Sequence, residues 1–162
     1  MSAETTSAKR HAYALLIVME TLAALVILTG VIPIYGAILA APGHPLTALP
    51  QSPVLLVAAV ALFQCVYWFR ILRVPVAVRR HSLVLSHLTL FASRLSFVFG
   101  TALFVLIIVR HIPALQMQSE ALPSATVLVA RAVAVLVIMF SLYCYSTELE
   151  RLGLALQPAR HR

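Results

Sequence analysis

The chain has 162 residues, 62% of them hydrophobic and only 10% charged, with a mean hydropathy of +0.99 and a formal net charge of +7. Average soluble domains carry about a quarter charged residues, so this composition excludes a protein that faces water on all sides. The cations sit in the links between apolar runs, and no basic face with interleaved aromatics exists. That excludes nucleic acid as the expected partner and points to membrane orientation and anionic lipid.

An apolar run of about 20 residues crosses a bilayer core as a helix. Four runs qualify here. The expected fold class is an all-α integral membrane protein: four transmembrane helices in an up-down bundle, N-in and C-in. Residues 1–11 form a short cytoplasmic tail with Lys9 and Arg10. The first span covers about 12–39. A cleaved signal has an apolar core of only about 7–15 residues, so a retained helix is expected. This span holds Glu20, and Pro33 lies between Gly30 and Gly36, where a bend is expected. It ends at the breaker cluster Ala41-Pro42-Gly43-His44-Pro45.

From Thr21 to Phe69, 49 consecutive residues contain no Asp, Glu, Lys or Arg. The second span covers about 53–72. Pro53 stands in its first turn, where the missing N–H costs nothing. The span holds Gln64 and Cys65 and closes on Tyr67-Trp68-Phe69, rings suited to the membrane interface. The third span covers about 83–109 and is expected to stop before Ile112-Pro113. It holds His87, Arg94 and a small-residue stripe of Ala92, Ser96 and Gly100. The fourth covers about 124–145, just after Pro123, with Arg131 and Cys144 inside and Tyr143 and Tyr145 at its end. The remaining 146–162 form a cytoplasmic tail. Its stripe of Leu149, Leu152 and Leu156 can extend the last helix into water, with Glu148 and Arg151 spaced to pair.

Lys9, Arg10, Arg70, Arg73, Arg79, Arg80, Arg151, Arg160 and Arg162 all fall on one side, against Arg110 alone on the other. The positive-inside bias puts that basic side in the cytoplasm of a bacterial-type inner membrane. Arg70, Arg73, Arg79 and Arg80 are the candidate contacts to anionic lipid heads.

Ionisable residues inside spans are expensive and seek partners. Three lie there: Glu20, Arg94 and Arg131. At 1.5 Å per residue, Glu20 lies about 12 Å and Arg94 about 16 Å from the same side. A Glu20–Arg94 pair is therefore expected. With Gln64 and His87 at comparable depth, it forms a candidate intramembrane polar cluster. Structural glue is the plain use of such a cluster, and an ion or proton relay is the functional one. Arg131 enters from the opposite side and can snorkel outward.

No cofactor is expected. A bis-histidine haem needs two histidines at matched depth on facing helices, and only His87 lies well inside a span. No Cys/His metal spacing occurs, and His44 with His111 on the outer side lack further ligands. No nucleophile elbow, phosphate loop or paired-carboxylate motif is present, and no Asp occurs, which disfavours a hydrolytic enzyme. The leading expectation is an accessory or assembly subunit of a membrane complex, bound to a protein partner. The alternative is a homo-oligomeric transporter or channel for a small ion or anionic solute. A quinone- or lipid-modifying enzyme with His87 as base is a third reading.

Overall fold

The structure, a computed structural model, describes residues 3–40, 53–78, 81–116 and 125–158. In hydrocarbon every backbone polar group must be satisfied within its own segment, so apolar runs close into helices. Four form: α1 Ala3–Ala40, α2 Pro53–Arg73, α3 Leu83–Gln116 and α4 Ala125–Ala155. Within them Ser7–Ala37, Pro53–Arg73, Leu83–Ala102 and Ala132–Ala155 are long and apolar enough to cross a membrane.

Only α2 ends where its hydropathy does. α1 takes in most of the expected N-terminal tail, and His11 Nδ1 bonds to Ser7 O at 2.9 Å within it. α1 also runs unbroken through Pro33. α3 continues past the expected stop at Ile112-Pro113 to Gln116; proline is tolerated in spanning helices because neighbouring groups satisfy the freed carbonyl. α4 runs ten residues beyond Tyr145. One face of this C-terminal stretch packs on the bundle: Glu148, Leu149 and Leu156 are buried, while Arg151 and Leu154 are exposed.

α3 and α4 make the most extensive helix pair, and α1 with α2 the next. α1 and α4 join the two pairs, whereas among the described residues α2 and α3 do not pack on each other. Contact register gives the directions. Ser86 meets Gly153 while Ser96 meets Leu142, so α3 and α4 are antiparallel. Tyr13 meets Glu148 while Thr21 meets Tyr145, so α1 and α4 are antiparallel. Gln64 meets Ser141 while Tyr67 meets Thr147, so α2 runs parallel to α4.

The core sits between α1, α2 and α4: Ala23, Ala24, Ile27 and Val31 face Ala59, Phe63, Tyr67, Leu142 and Cys144. Phe63 stacks on Tyr67 at 6.0 Å and meets Tyr145 edge-on at 6.2 Å, geometries that aromatic quadrupoles favour.

The α3–α4 seam is built differently, from small and hydroxylated residues. Ser86 Oγ donates to Gly153 O at 2.7 Å, Ser93 Oγ to Ser146 O at 2.8 Å, and Ser146 Oγ to Ser93 O at 2.9 Å. Lipid tails are as apolar as leucine, so close approach and interhelical hydrogen bonds must hold such a seam. Ser96 and Gly100 of the expected stripe do face α4, while Ala92 is only half-buried. Ser82 caps the end of the seam, its N donating to Leu156 O at 3.0 Å. Outside, Leu22, Leu25, Val57, Phe91, Val98 and Val133 stand exposed, as lipid-facing positions require.

Candidate functional site

Three helix faces converge on one charged group. On α1, Glu20 precedes Ala23, Ala24, Ile27 and Val31 at helical spacing, so the face that packs the core carries it inward. On α2, Arg70 continues the buried face of Phe63, Val66 and Tyr67. On α4, Ser141, Cys144 and Glu148 share the inner face. Arg70 is 2% exposed; Glu20 and Glu148 are 0% exposed.

Arg70 Nη2 donates to Glu148 Oε2. Arg70 Nε lies 3.3 Å from Glu20 Oε1. That is an ion-pair distance without hydrogen-bond alignment, so Nε and both Glu20 oxygens lack a hydrogen-bond partner. Tyr13 serves the cluster twice. Its hydroxyl donates to Glu148 Oε1 at 3.0 Å, and its ring lies 5.8 Å from Arg70 Cζ, a cation–π distance. Two carboxylates thus share one guanidinium in a sealed site. Arg70 stands three residues from the end of α2, so the cluster lies about 4.5 Å, just under one helical turn, inside that end.

Beside it, Tyr145 OH donates to Thr21 Oγ1 at 3.1 Å, and Thr21 Oγ1 donates to Ile17 O at 2.7 Å. An open groove of about 560 Å³ lies at the same end of the bundle. Arg10, His11, Tyr13 and Ile17 of α1, Val78 of the α2–α3 link and Leu152 of α4 line it.

The expected site residues are not brought together. Glu20 is in the cluster, but its cation is Arg70, not Arg94. Arg94 is 76% exposed and pairs with Glu150, itself 43% exposed, at 3.5 Å. Gln64 faces α4: Nε2 donates to Ser141 Oγ at 3.0 Å, and Oε1 accepts from Trp68 Nε1 at 3.1 Å. His87 is exposed. The reason is rotational. α3 turns Ser86, Ser93, Ser96 and Gly100 toward α4. His87 and Arg94 each follow a seam serine by one residue, about a quarter-turn round the helix. Depth alone does not fix which way a residue points.

Arg70 also leaves the set of expected lipid contacts, because two buried glutamates draw it inside. Arg73 is exposed, while Arg79 and Arg80 lie outside the described residues. Glu148 pairs with Arg70 instead of Arg151, which is exposed. His44 and the side chains of His111 and Arg131 also lie outside what is described. Among the described residues no group of three His, Cys, Asp or Glu could hold a metal ion. Both cysteines are free thiols, Cys65 exposed and Cys144 buried. Set against protein-family models, curated proteins and solved structures, the chain finds no match.

Proposed function

We propose that this chain is an accessory or assembly subunit of a bacterial-type inner-membrane complex, with both termini cytoplasmic, and that it meets its partner through the outer face of α3. One observation carries this reading: an arginine exposed on a spanning helix. Arg94 stands 76% exposed on the same helix as the exposed Phe91, Leu95 and Val98. Within spans, arginines face a bundle interior or a water-filled cavity and take a partner. Glu150 answers Arg94 from one side only and is itself open to the outside. A partner helix with a polar or acidic side chain at that level completes the site and covers the aromatic face.

The orientation rests on the basic residues. With Arg70 inside the bundle, the sequence count still assigns Lys9, Arg10, Arg73, Arg79, Arg80, Arg151, Arg160 and Arg162 to one side. The positive-inside bias therefore still puts that side in the cytoplasm. Arg73, Arg79 and Arg80 remain the positions for anionic lipid heads.

The test is native mass spectrometry of protein released gently from its own host membrane, compared with Arg94→Ala. Defined foreign subunits on the wild type, lost from a variant that is still folded, support the reading. An Arg94→Ala protein that keeps every wild-type partner sinks it.

A second reading, a homo-oligomeric transporter or channel for a small ion, is favoured by the excess carboxylate beside Arg70. It expects a symmetric multiple of 17.7 kDa and ion flux in reconstituted vesicles. Flux equal to that of empty vesicles removes it.

A further inference from the structure

We infer that Glu20 is a proton-binding site: it carries the proton that balances the buried cluster, while Arg70 and Glu148 form the fixed ion pair beside it. Charge balance and hydrogen-bond donors both point to Glu20. The groups that meet in this region are Tyr13 and Glu20 from α1, Tyr67 and Arg70 from α2, and Cys144, Tyr145 and Glu148 from α4. α3 turns its serines toward α4 and adds no charge. Arg70 is the single cation among these groups. With both glutamates ionised, a net negative charge would sit in a site at most 2% exposed. An unpaired buried charge of that kind neutralises itself instead of persisting.

Hydrogen bonds decide which carboxylate takes the proton. Both oxygens of Glu148 accept from donors, Oε1 from the Tyr13 hydroxyl and Oε2 from Arg70 Nη2. Donors aimed at a carboxylate favour its ionised form. Neither oxygen of Glu20 accepts a hydrogen bond, although the residue is completely buried. The negative charge therefore rests on Glu148 and the proton on Glu20. Uptake forms one O–H bond on Glu20 at the expense of a proton from water. Release returns that proton and leaves one uncompensated negative charge, so it must accompany an opening of the site or the arrival of a cation.

Tyr13 marks the way in. It lines the groove beside Arg10 and His11, and its hydroxyl touches Glu148. One side chain thus lies between the open groove and the buried acid pair. The inference goes beyond the subunit reading and does not depend on the identity of any partner.

The test is infrared spectroscopy of the full chain in phospholipid nanodiscs at neutral pH, read at the stretch of a protonated carboxyl group. The wild type should show such a band, and it should shift in heavy water. Glu20→Gln should abolish it and leave the thermal unfolding midpoint unchanged, because glutamine mimics the neutral acid. Glu148→Gln should lower the midpoint, because it removes Arg70's counter-charge. A wild type without the band overturns the inference. So does a band that survives Glu20→Gln, or a Glu20→Gln protein that loses its fold, since glutamine fails only where an ionised carboxylate is required.

Discussion

Arg70→Met tests the cluster most directly. Methionine keeps the length and flexibility of the stem and removes the head. The lost contacts are the Nη2 bond to Glu148, the 3.3 Å approach to Glu20 and the cation–π contact with Tyr13. Glu148, 0% exposed, then keeps only the Tyr13 hydroxyl. Removing one partner of a buried ion pair typically costs about 3–5 kcal/mol, because the other group must stay charged without its partner or take up a proton. That loss is expected in an equilibrium SDS titration in mixed micelles, followed by helical circular dichroism. Arg73→Met, one turn away and exposed, is the control and should leave the transition where it was. The double variant Arg70→Met with Glu148→Met should recover most of the loss, since apolar replacement of a whole buried pair is often neutral or better. A loss under about 1 kcal/mol for Arg70→Met would refute the reasoning, because that is the range of an exposed pair. A double variant no better than the single would do the same.

Other changes follow from the same contacts. Tyr13→Phe removes one of the two donors to Glu148 and should cost about 1–3 kcal/mol in the same titration, the penalty for a buried acceptor left short. At Gly153 an added Cβ would lie 2.8 Å from Leu90 Cγ and 3.3 Å from Leu90 N, so Gly153→Ala should destabilise by about 1–3 kcal/mol through overpacking. Gly100→Ala meets Leu142 Cβ at an ordinary 3.5 Å. It should be neutral or stabilise by up to about 1 kcal/mol, the helix preference of alanine over glycine. A double-mutant cycle on Ser93→Ala and Ser146→Ala, which share three contacts, should give a coupling of about 0.6 kcal/mol, the membrane average. A coupling of zero would mean that the contact between the two hydroxyls adds nothing and that the seam rests on its side chain–backbone bonds and close packing.

The helices were legible because hydropathy is a local property. A run such as Pro53 to Leu72 can be read without knowing what lies beside it, and α2 ends within one residue of that reading. The overshoot at α4 has a tertiary cause. Glu148 lies beyond the expected end of the fourth span at Tyr145, and Tyr13 and Arg70 hold it there. The partner of Glu20 was not legible, and the cause is geometric. Depth along a helix follows from counting residues, whereas the facing direction depends on which neighbour the helix chooses. The serine seam settles that choice for α3 and turns Arg94 outward.

One signal did exist in the chain and bears on how such sequences are read. Asp is absent and Glu is scarce, yet Glu20 and Glu148 both fall on positions that continue apolar helical faces. Arg70 follows Phe63 by seven residues and Tyr67 by three, so it continues a buried face instead of flanking it. Counting it among the orientation charges treats a cation at the end of a span as water-facing by position alone. The better criterion is the face. A basic residue one turn inside a span, in phase with buried aromatics, belongs to the bundle when the chain supplies an acid in phase on another helix. By that criterion Arg73, out of phase with Phe63 and exposed, stays outside the bundle, and Arg70 belongs to Glu20 and Glu148.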